Sequence, residues 1–219
     1  EELCANGAAT AADPQAAWRD LLGGVTSEGP ATVVLSAGCD PPRAVVLSHG
    51  NLVSTASMLV TTLALRADDE VLSAALPLAY VVERVVTGAA ALHAGFVVNF
   101  GAGPYTLLED AREAQPTVFL AVPRWWEQTR DVIELRMAAA DPVKRRVYRF
   151  WRRRGASRIG RRPSMLGRFM LYRPLWRKFG LSRIRIAVSV GAPVADQVVE
   201  FFASLALPVR ESYGTVETT

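Results

Sequence analysis

The sequence predicts an α/β fold of layered, mostly parallel sheets flanked by helices. Two observations predict it. Short β-branched runs alternate with helix-length segments along most of the chain, as in strand–helix units whose helices cover the faces of a parallel sheet. Half of the 219 residues are hydrophobic, enough to bury a substantial core as one large domain or two closely packed lobes.

The elements follow in chain order. Asp13-Pro14 opens a short helix that ends with Trp18 to Leu22. Thr32 to Leu35 and Ala44 to Leu47 read as two short strands flanking a loop. Asn51 reads as the cap of a helix running to Leu65. Glu70 to Leu76 is a strand, Val81 to Ala94 a helix and Phe96 to Phe100 a strand. Pro104 to Ala114 is helical, Thr117 to Ala121 is a strand, and Pro123 starts a helix running to Ala140. Two basic helices come next, broken near Gly160 to Pro163. Ile184 to Ser189 is a strand, Val194 to Leu205 a helix, and Pro208 to Glu211 a final strand. No internal repeat interrupts this order.

No window approaches the roughly 20 apolar residues of a membrane span; Val85 to Val98, the longest apolar stretch, is interrupted by Thr87 and His93. Glu1-Glu2-Leu3-Cys4 lacks the basic and apolar regions of a signal peptide, and Cys4 and Cys39 make neither a disulfide framework nor a metal-ligand spacing. The expected setting is cytoplasmic and reducing. The net charge of +4 hides an asymmetry. Lys144 to Arg185 holds 16 of the 25 basic residues and no acidic one, leaving 9 basic and 21 acidic residues elsewhere, a net of −12. Seven aromatic residues interleave with these arginines: Tyr148, Phe150, Trp151, Phe169, Tyr172, Trp176 and Phe179. Three readings stay open. The arginines snorkel over an apolar helical face, they attach the chain peripherally to an anionic membrane surface, or, least favoured because no known module surrounds them, they bind nucleic acid.

Ligands of such sheets bind at the carboxyl ends of the strands. Four loops fall there: Ser36 to Arg43, Pro77 to Glu83, Ser189 to Pro193 and Tyr213 to Glu217. The first has the outline of a phosphate-holding loop between two strands. Ser36 offers a hydroxyl, Gly38 a small residue and Arg43 a cation, while Asp40 places a negative charge where an anion would sit. Singly, each loop has an ordinary reading. Gly191-Ala192-Pro193 reads as a strand-to-helix turn, Tyr213-Gly214 as a surface turn, His49 as a helix entry and His93 as a packed helix residue. The order and spacing of all four together are harder to dismiss.

Together they resemble the adenylate-forming enzymes, and within them the long-chain fatty acyl-CoA synthetases. Leu35-Ser36-Ala37-Gly38-Cys39-Asp40-Pro41-Pro42-Arg43-Ala44 aligns without a gap to the family's Thr-Ser-Gly-Thr-Thr-Gly-x-Pro-Lys-Gly loop, and Leu47-Ser48-His49-Gly50-Asn51 to the motif after it. Leu76-Pro77-Leu78-Ala79-Tyr80-Val81-Val82-Glu83-Arg84 is similar to Leu-Pro-Leu-Ser-His-Val-Phe-Glu-Arg. The stretch from Gln115 to Glu127 resembles the one that precedes a basic helical insertion in long-chain members. Ala187 to Pro193 matches the adenine-side loop, and Glu211-Ser212-Tyr213-Gly214-Thr215-Val216-Glu217-Thr218 the Tyr-Gly-x-Thr-Glu motif.

The resemblance implies activation of a carboxylate, such as a fatty acid, with ATP and Mg²⁺ to an acyl-adenylate. Acyl transfer to coenzyme A follows, and positioning and electrostatics dominate the first step. It implies that Ser36, Gly38 and Arg43 contact phosphates and that Glu217 binds Mg²⁺. Gly191, Ala192 and Pro193 would pack near adenine, with Tyr213 and Gly214 in the adenine motif, and Tyr80 beside the acyl pocket. Residues 1–30 would be a linker and short helix, 31–219 a partial adenylation domain, and 141–183 the basic insertion. The catalytic lysine and the small C-terminal domain fall beyond Thr219, so this chain alone is expected not to turn over.

Departures from the family pattern imply an eroded ATP site. The loop carries Gly38 and Cys39 for two threonines and Ala37 and Asp40 for two glycines. Val190 replaces a glycine and Val216 a threonine. A carboxylate about 4 Å from a phosphate charge costs roughly 4 kcal/mol at an effective dielectric near 20, on the order of a thousandfold in affinity. The alternative is a non-catalytic relative acting as an acyl-binding, regulatory or membrane-surface module.

Overall fold

The computed structural model describes residues 13–36, 41–73, 76–103, 105–156 and 165–218. Cys4, Gly38, Cys39, Asp40 and the break near Gly160 to Pro163 lie outside the described residues.

Asp13 caps α1 (Pro14–Gly23) by accepting the amides of Gln15 and Ala16, as Asp-Pro at a helix start favours. Strands β1 (Pro30–Leu35) and β2 (Ala44–Ser48) pair antiparallel as a separate two-stranded sheet, which is a departure from the parallel pattern. Helix α2 (His49–Leu63) follows at once. Its N-cap is Ser48, not Asn51. Asn51 occupies the third helical position and returns its side-chain oxygen to the Ser48 amide at 3.0 Å, closing a capping box in which the Ser48 hydroxyl accepts the Asn51 amide.

Five parallel strands then form the main sheet: β3 (Glu70–Ser73), β4 (Val97–Phe100), β5 (Val118–Ala121), β6 (Ile186–Ser189) and β7 (Val209–Glu211), in spatial order β4-β3-β5-β6-β7. Strand β3 ends at Ser73, short of the expected Leu76. Between β3 and β4 runs α3 (Val81–Arg84), a π-helical turn (Val85–Ala90) and α4 (Ala91–Ala94). Helix α5 (Leu107–Ala114) precedes β5, and α6 (Pro123–Ala138) follows it. The basic segment folds as α7 (Pro142–Ala156), α8 (Met165–Gly167), a π turn (Arg168–Tyr172) and α9 (Arg173–Lys178). Helix α10 (Asp196–Ser204) joins β6 to β7, and a 3₁₀ turn (Val216–Thr218) follows β7.

The central strands β5 and β6 are buried on both faces, and alternate side chains feed two separate cores. Val71, Val118, Leu120, Ile186 and Val188 pack with Ala56 of α2 and with Val85, Val86 and Ala90. Leu72, Phe119, Ala121 and Ala187 pack under α5, α6, α7, α9 and α10. The result is three layers, helices on either side of a parallel sheet. On the second face Trp126 and Phe202 meet edge to face with centroids 5.2 Å apart, and Trp176 stacks on Phe202 at 5.9 Å.

That second core settles most of the aromatic pattern in the basic segment. Tyr148, Trp151, Tyr172, Trp176 and Phe179 are buried, and only Phe150 and Phe169 of the seven face outward. Arg152 lies over two core rings, its guanidinium carbon 6.0 Å from the Tyr148 centroid and 5.5 Å from that of Phe201. No helix among the described residues is long and apolar enough to cross a membrane.

The amino ends of β3, β5 and β6 are tied together by one buried carboxylate. Asp69 accepts the Thr117 hydroxyl at 2.7 Å and the Arg66 amide at 2.8 Å, and pairs with the Arg185 guanidinium. Arg185 also donates to the carbonyl of Ala64, the left-handed residue that ends α2. The Glu70 amide, in turn, donates to the Thr117 hydroxyl at 2.9 Å. This clamp leaves the opposite, carboxyl ends of the strands to the loops.

Candidate functional site

A cleft of about 580 Å³ opens at the carboxyl ends of β6 and β7, roofed by the β1–β2 hairpin and walled by α2 and the start of α3. Each wall has a local reason. Ser36 follows β1, and its amide donates to the Arg43 carbonyl at 2.8 Å while its hydroxyl accepts the Arg43 amide at 3.3 Å, pinning the base of the loop. On α2, Thr55, Met58 and Leu59 share one face by their i, i+3, i+4 spacing. Beyond β6, the Val190 amide donates to the Ala121 carbonyl at 3.0 Å, and Gly191 turns with φ +92, which no side chain favours. Glu211 accepts the Val194 amide at 2.8 Å, and the Ser212 amide donates to the Ser189 carbonyl at 2.9 Å, fastening the last two loops to one another.

Of the residues singled out in the sequence, Ser36, Tyr80, Gly191, Tyr213, Gly214 and Glu217 line this one cleft. Arg43, Ala192 and Pro193 are exposed and fall outside the lining. Gly38 lies outside the described residues. His49 is the first residue of α2, a helix entry. His93 is exposed on α4 and not packed, because α4 turns Ala91 and Ala94, not His93, to the core.

The chemistry of the lining is largely apolar. Among the described residues that form it, Glu217 is the one charged side chain. Tyr213 stands at the mouth, 98% exposed, its ring open to a ligand. A lone carboxylate fits a Mg²⁺ that arrives on a nucleotide, since Mg²⁺ is held by one or two carboxylates plus phosphates and water. No group of three or more His, Cys, Asp or Glu able to hold a metal by itself occurs among the described residues. The apolar walls suit an acyl or aromatic group better than a triphosphate, for which the described lining supplies no cation.

One buried group beside the cleft was not singled out in the sequence. Glu83, in the first turn of α3, is 3% exposed and accepts the hydroxyl of Ser73 at the end of β3. Burial pushes its carboxyl above the ordinary value, and the Ser73 hydrogen bond only partly offsets this. The signal was an acidic residue between Val82 and the apolar run Val85-Val86, where solvent exposure is not available. A carboxyl with a raised folded pKa stabilises most at low pH, and that contribution is lost as pH rises through the raised value. Glu83→Gln is therefore expected to flatten the fall in melting temperature between acid and neutral pH; an unchanged slope in thermal melts would place the titration elsewhere.

A family model described as AMP-binding enzyme matches residues 41–219. The chain belongs to that family. Among curated relatives, it is similar to the peroxisomal long chain acyl-CoA synthetase 7 of Arabidopsis thaliana, at 29% identity over 86% of this chain and 27% of that protein. It is also similar to the long-chain-fatty-acid–CoA ligase ACSBG2 of Gallus gallus, at 26% identity over 94% of this chain and 29% of that protein. The chain thus spans less than a third of the length of these relatives. In fold it resembles apo MatB from Rhodopseudomonas palustris, with a TM-score of 0.60 and 19% identity over 89% of this chain and 30% of that one. A malonyl-CoA ligase with methylmalonyl-CoA and AMP bound aligns with the same TM-score of 0.60 at 21% identity, covering 87% of this chain and 34% of that one. The parallel sheet flanked by helices agrees with the fold of these structural neighbours.

Proposed function

We propose that this chain is part of a fatty-acid–CoA ligase unit, related to enzymes that activate a carboxylate with ATP and Mg²⁺ and then transfer the acyl group to coenzyme A. The observation that carries the proposal is the convergence of Ser36, Tyr80, Gly191, Tyr213, Gly214 and Glu217, drawn from separate loops, on one cleft in a chain of the AMP-binding family. In this reading the apolar wall of Val81, Val82 and Val85 beside Tyr80 receives the acyl group, Tyr213 and Gly191 flank the adenine, and Glu217 meets Mg²⁺. Arg43 and the loop before it would meet the phosphates, with Arg43 in place of a lysine and so with altered geometry.

The reading also includes weakened ATP use. Asp40 adds a carboxylate to the phosphate loop, and Val190 and Val216 place methyl groups where the family has a glycine and a hydroxyl. A second reading, an acyl-binding or regulatory relative without catalysis, is favoured by the apolar lining and its single carboxylate. ATP–pyrophosphate exchange with a panel of fatty acids, measured with this chain joined to the lysine-bearing C-terminal domain of a long-chain ligase, separates the two. The weakened site is expected to give exchange at least about a hundredfold below that of an intact long-chain ligase, because an unrelieved carboxylate near phosphate costs roughly 3–4 kcal/mol. Exchange restored by Asp40→Gly with Val216→Thr would support the ligase reading. Fatty-acid binding with no exchange in either form would support the second. Basic residues from Lys144 to Arg185 are proposed to meet an anionic membrane surface.

A further inference from the structure

We propose that the outward face of α7, with the neighbouring α8 and π turn, docks on an anionic lipid surface, with arginines at the headgroups and Phe150 and Phe169 entering the acyl boundary. This defines the face used in the membrane contact just stated, and it stands on the basic segment independently of the acyl-activating reading. Arg146, Arg149, Phe150, Arg153 and Arg154 border one open groove of about 490 Å³ on α7. Val143, Arg146, Phe150 and Arg153 recur at intervals of three and four, so they share one side of the helix. The opposite side is spent, because Tyr148 and Trp151 are buried in the core.

Charge complementarity names the occupant. The segment from Lys144 to Arg185 holds 16 basic residues and no acidic one. Its acidic neighbours engage other cations: Glu134 pairs with Arg152 and Asp141 with Lys144. Among the described residues no carboxylate pairs with Arg146, Arg149 or Arg153. Arg154 lies over the Phe150 ring, its guanidinium carbon 5.9 Å from the centroid.

Exposed apolar side chains decide between a lipid and a nucleic acid. Val143, Phe150, Leu166, Phe169 and Met170 are each more than half exposed, at 71%, 54%, 61%, 70% and 55%. Valine, leucine and methionine gain free energy in hydrocarbon in proportion to the area buried, and gain little against phosphates or base edges. The two stretches carrying them are packed together: Tyr172 donates its hydroxyl to the Trp151 carbonyl at 3.2 Å, and Gly167 lies against the Trp151 ring, where a side chain would come within 2.6 Å. A continuous patch of cations and apolar groups results, of the kind that lies in a membrane interface.

The test is co-sedimentation of the 219-residue chain with vesicles of phosphatidylcholine alone or of equal parts phosphatidylcholine and phosphatidylserine. Binding is expected for the anionic vesicles only, falling steeply with salt. Arg146→Gln, Arg149→Gln and Arg153→Gln together should weaken it on the order of a hundredfold, at roughly fivefold for each arginine near the surface. The matching lysine triple should retain most of the binding. Phe150→Ser with Phe169→Ser should weaken binding at low and high salt alike. Thermal melts confirm that each variant folds, and the lysine triple serves if the glutamine triple does not. Binding that ignores salt and the glutamine triple, equal binding to neutral vesicles, or no vesicle binding at all would overturn the proposal. So would binding to a duplex oligonucleotide in preference to the anionic vesicles with no effect of the phenylalanine pair. The ATP–pyrophosphate exchange assay contains no vesicles, so failure of one proposal leaves the other readable.

Discussion

Asp69→Ala is expected to lower the unfolding free energy by about 3 kcal/mol, the lower end of the cost of breaking a buried ion pair, because Arg185 is partly exposed and water can reach it. The carboxylate holds the amino ends of three strands. Its removal strips the Thr117 hydroxyl, the Arg66 amide and the Arg185 guanidinium of their common acceptor. Burial alone would raise the Asp69 pKa, but hydrogen bonds from Arg185, Thr117 and the Arg66 amide, with the Arg185 charge, hold it below the ordinary 3.8. The sign of the linkage follows. A lowered folded pKa gives stability above the unfolded pKa, and that stability is lost as pH falls through the lowered value. The gap between wild type and Asp69→Ala in urea unfolding should therefore be full at neutral pH and narrow below the ordinary 3.8. A gap that persists undiminished in acid would show that Asp69 acts through packing and not through its charge.

Gly180→Ala is expected to cost about 2–5 kcal/mol, adding backbone strain of roughly 1–2 kcal/mol to overpacking of roughly 1–3 kcal/mol. Gly180 turns the chain out of α9 with φ +71, and a Cβ there would lie 2.1 Å from both the carbonyl carbon and the oxygen of Ala111. Ala111 is fully buried in α5, so neither backbone can retreat without opening the core around Phe179 and Leu181. Gly95 gives the comparison. Its φ is +77, but a Cβ would meet nothing closer than the Ala67 methyl at 3.8 Å. Gly95→Ala should cost only the strain, so the two melting curves separate the close approach from the left-handed turn. Equal losses for the two variants would remove the close approach as the cause.

Much of this molecule was legible along the chain. The strands were read to within a few residues because most are short β-branched runs, the central β5 and β6 buried on both faces, and the helices because turn residues and apolar periodicity bound them. Helix entry at Ser48-His49 was also legible, although the cap itself was assigned to Asn51. Both residues are good capping types, and only the three-dimensional exchange of hydrogen bonds shows which one sits outside the helix. The two strands of the β1–β2 hairpin were legible on either side of their loop, but their antiparallel pairing was not, since a run of β-branched residues carries no mark of strand direction.

The site divides in the same way. Loops beyond the strands gave Ser36, Tyr80, Gly191, Tyr213, Gly214 and Glu217, and the fold brings these six to one cleft. Thr55, Met58 and Leu59 of α2 complete a wall that no local pattern announces, because helical spacing shows that residues share a face but not what the face meets. Glu83 stands within the Leu76 to Arg84 motif, but a carboxylate in sequence carries no mark of burial.

By itself the sequence determined the family, the order of strands and helices, and the loops from which a site could be built, since each is written in local spacing and residue type. Tertiary structure alone decided which basic-segment aromatics are core and which are surface, which carboxylates are buried, and that Arg43, Ala192 and Pro193 stand outside the cleft. The physical reason is that burial and pairing are properties of two segments distant in the chain, such as Asp69 with Arg185 or Gly180 with Ala111, and neither segment encodes its partner alone.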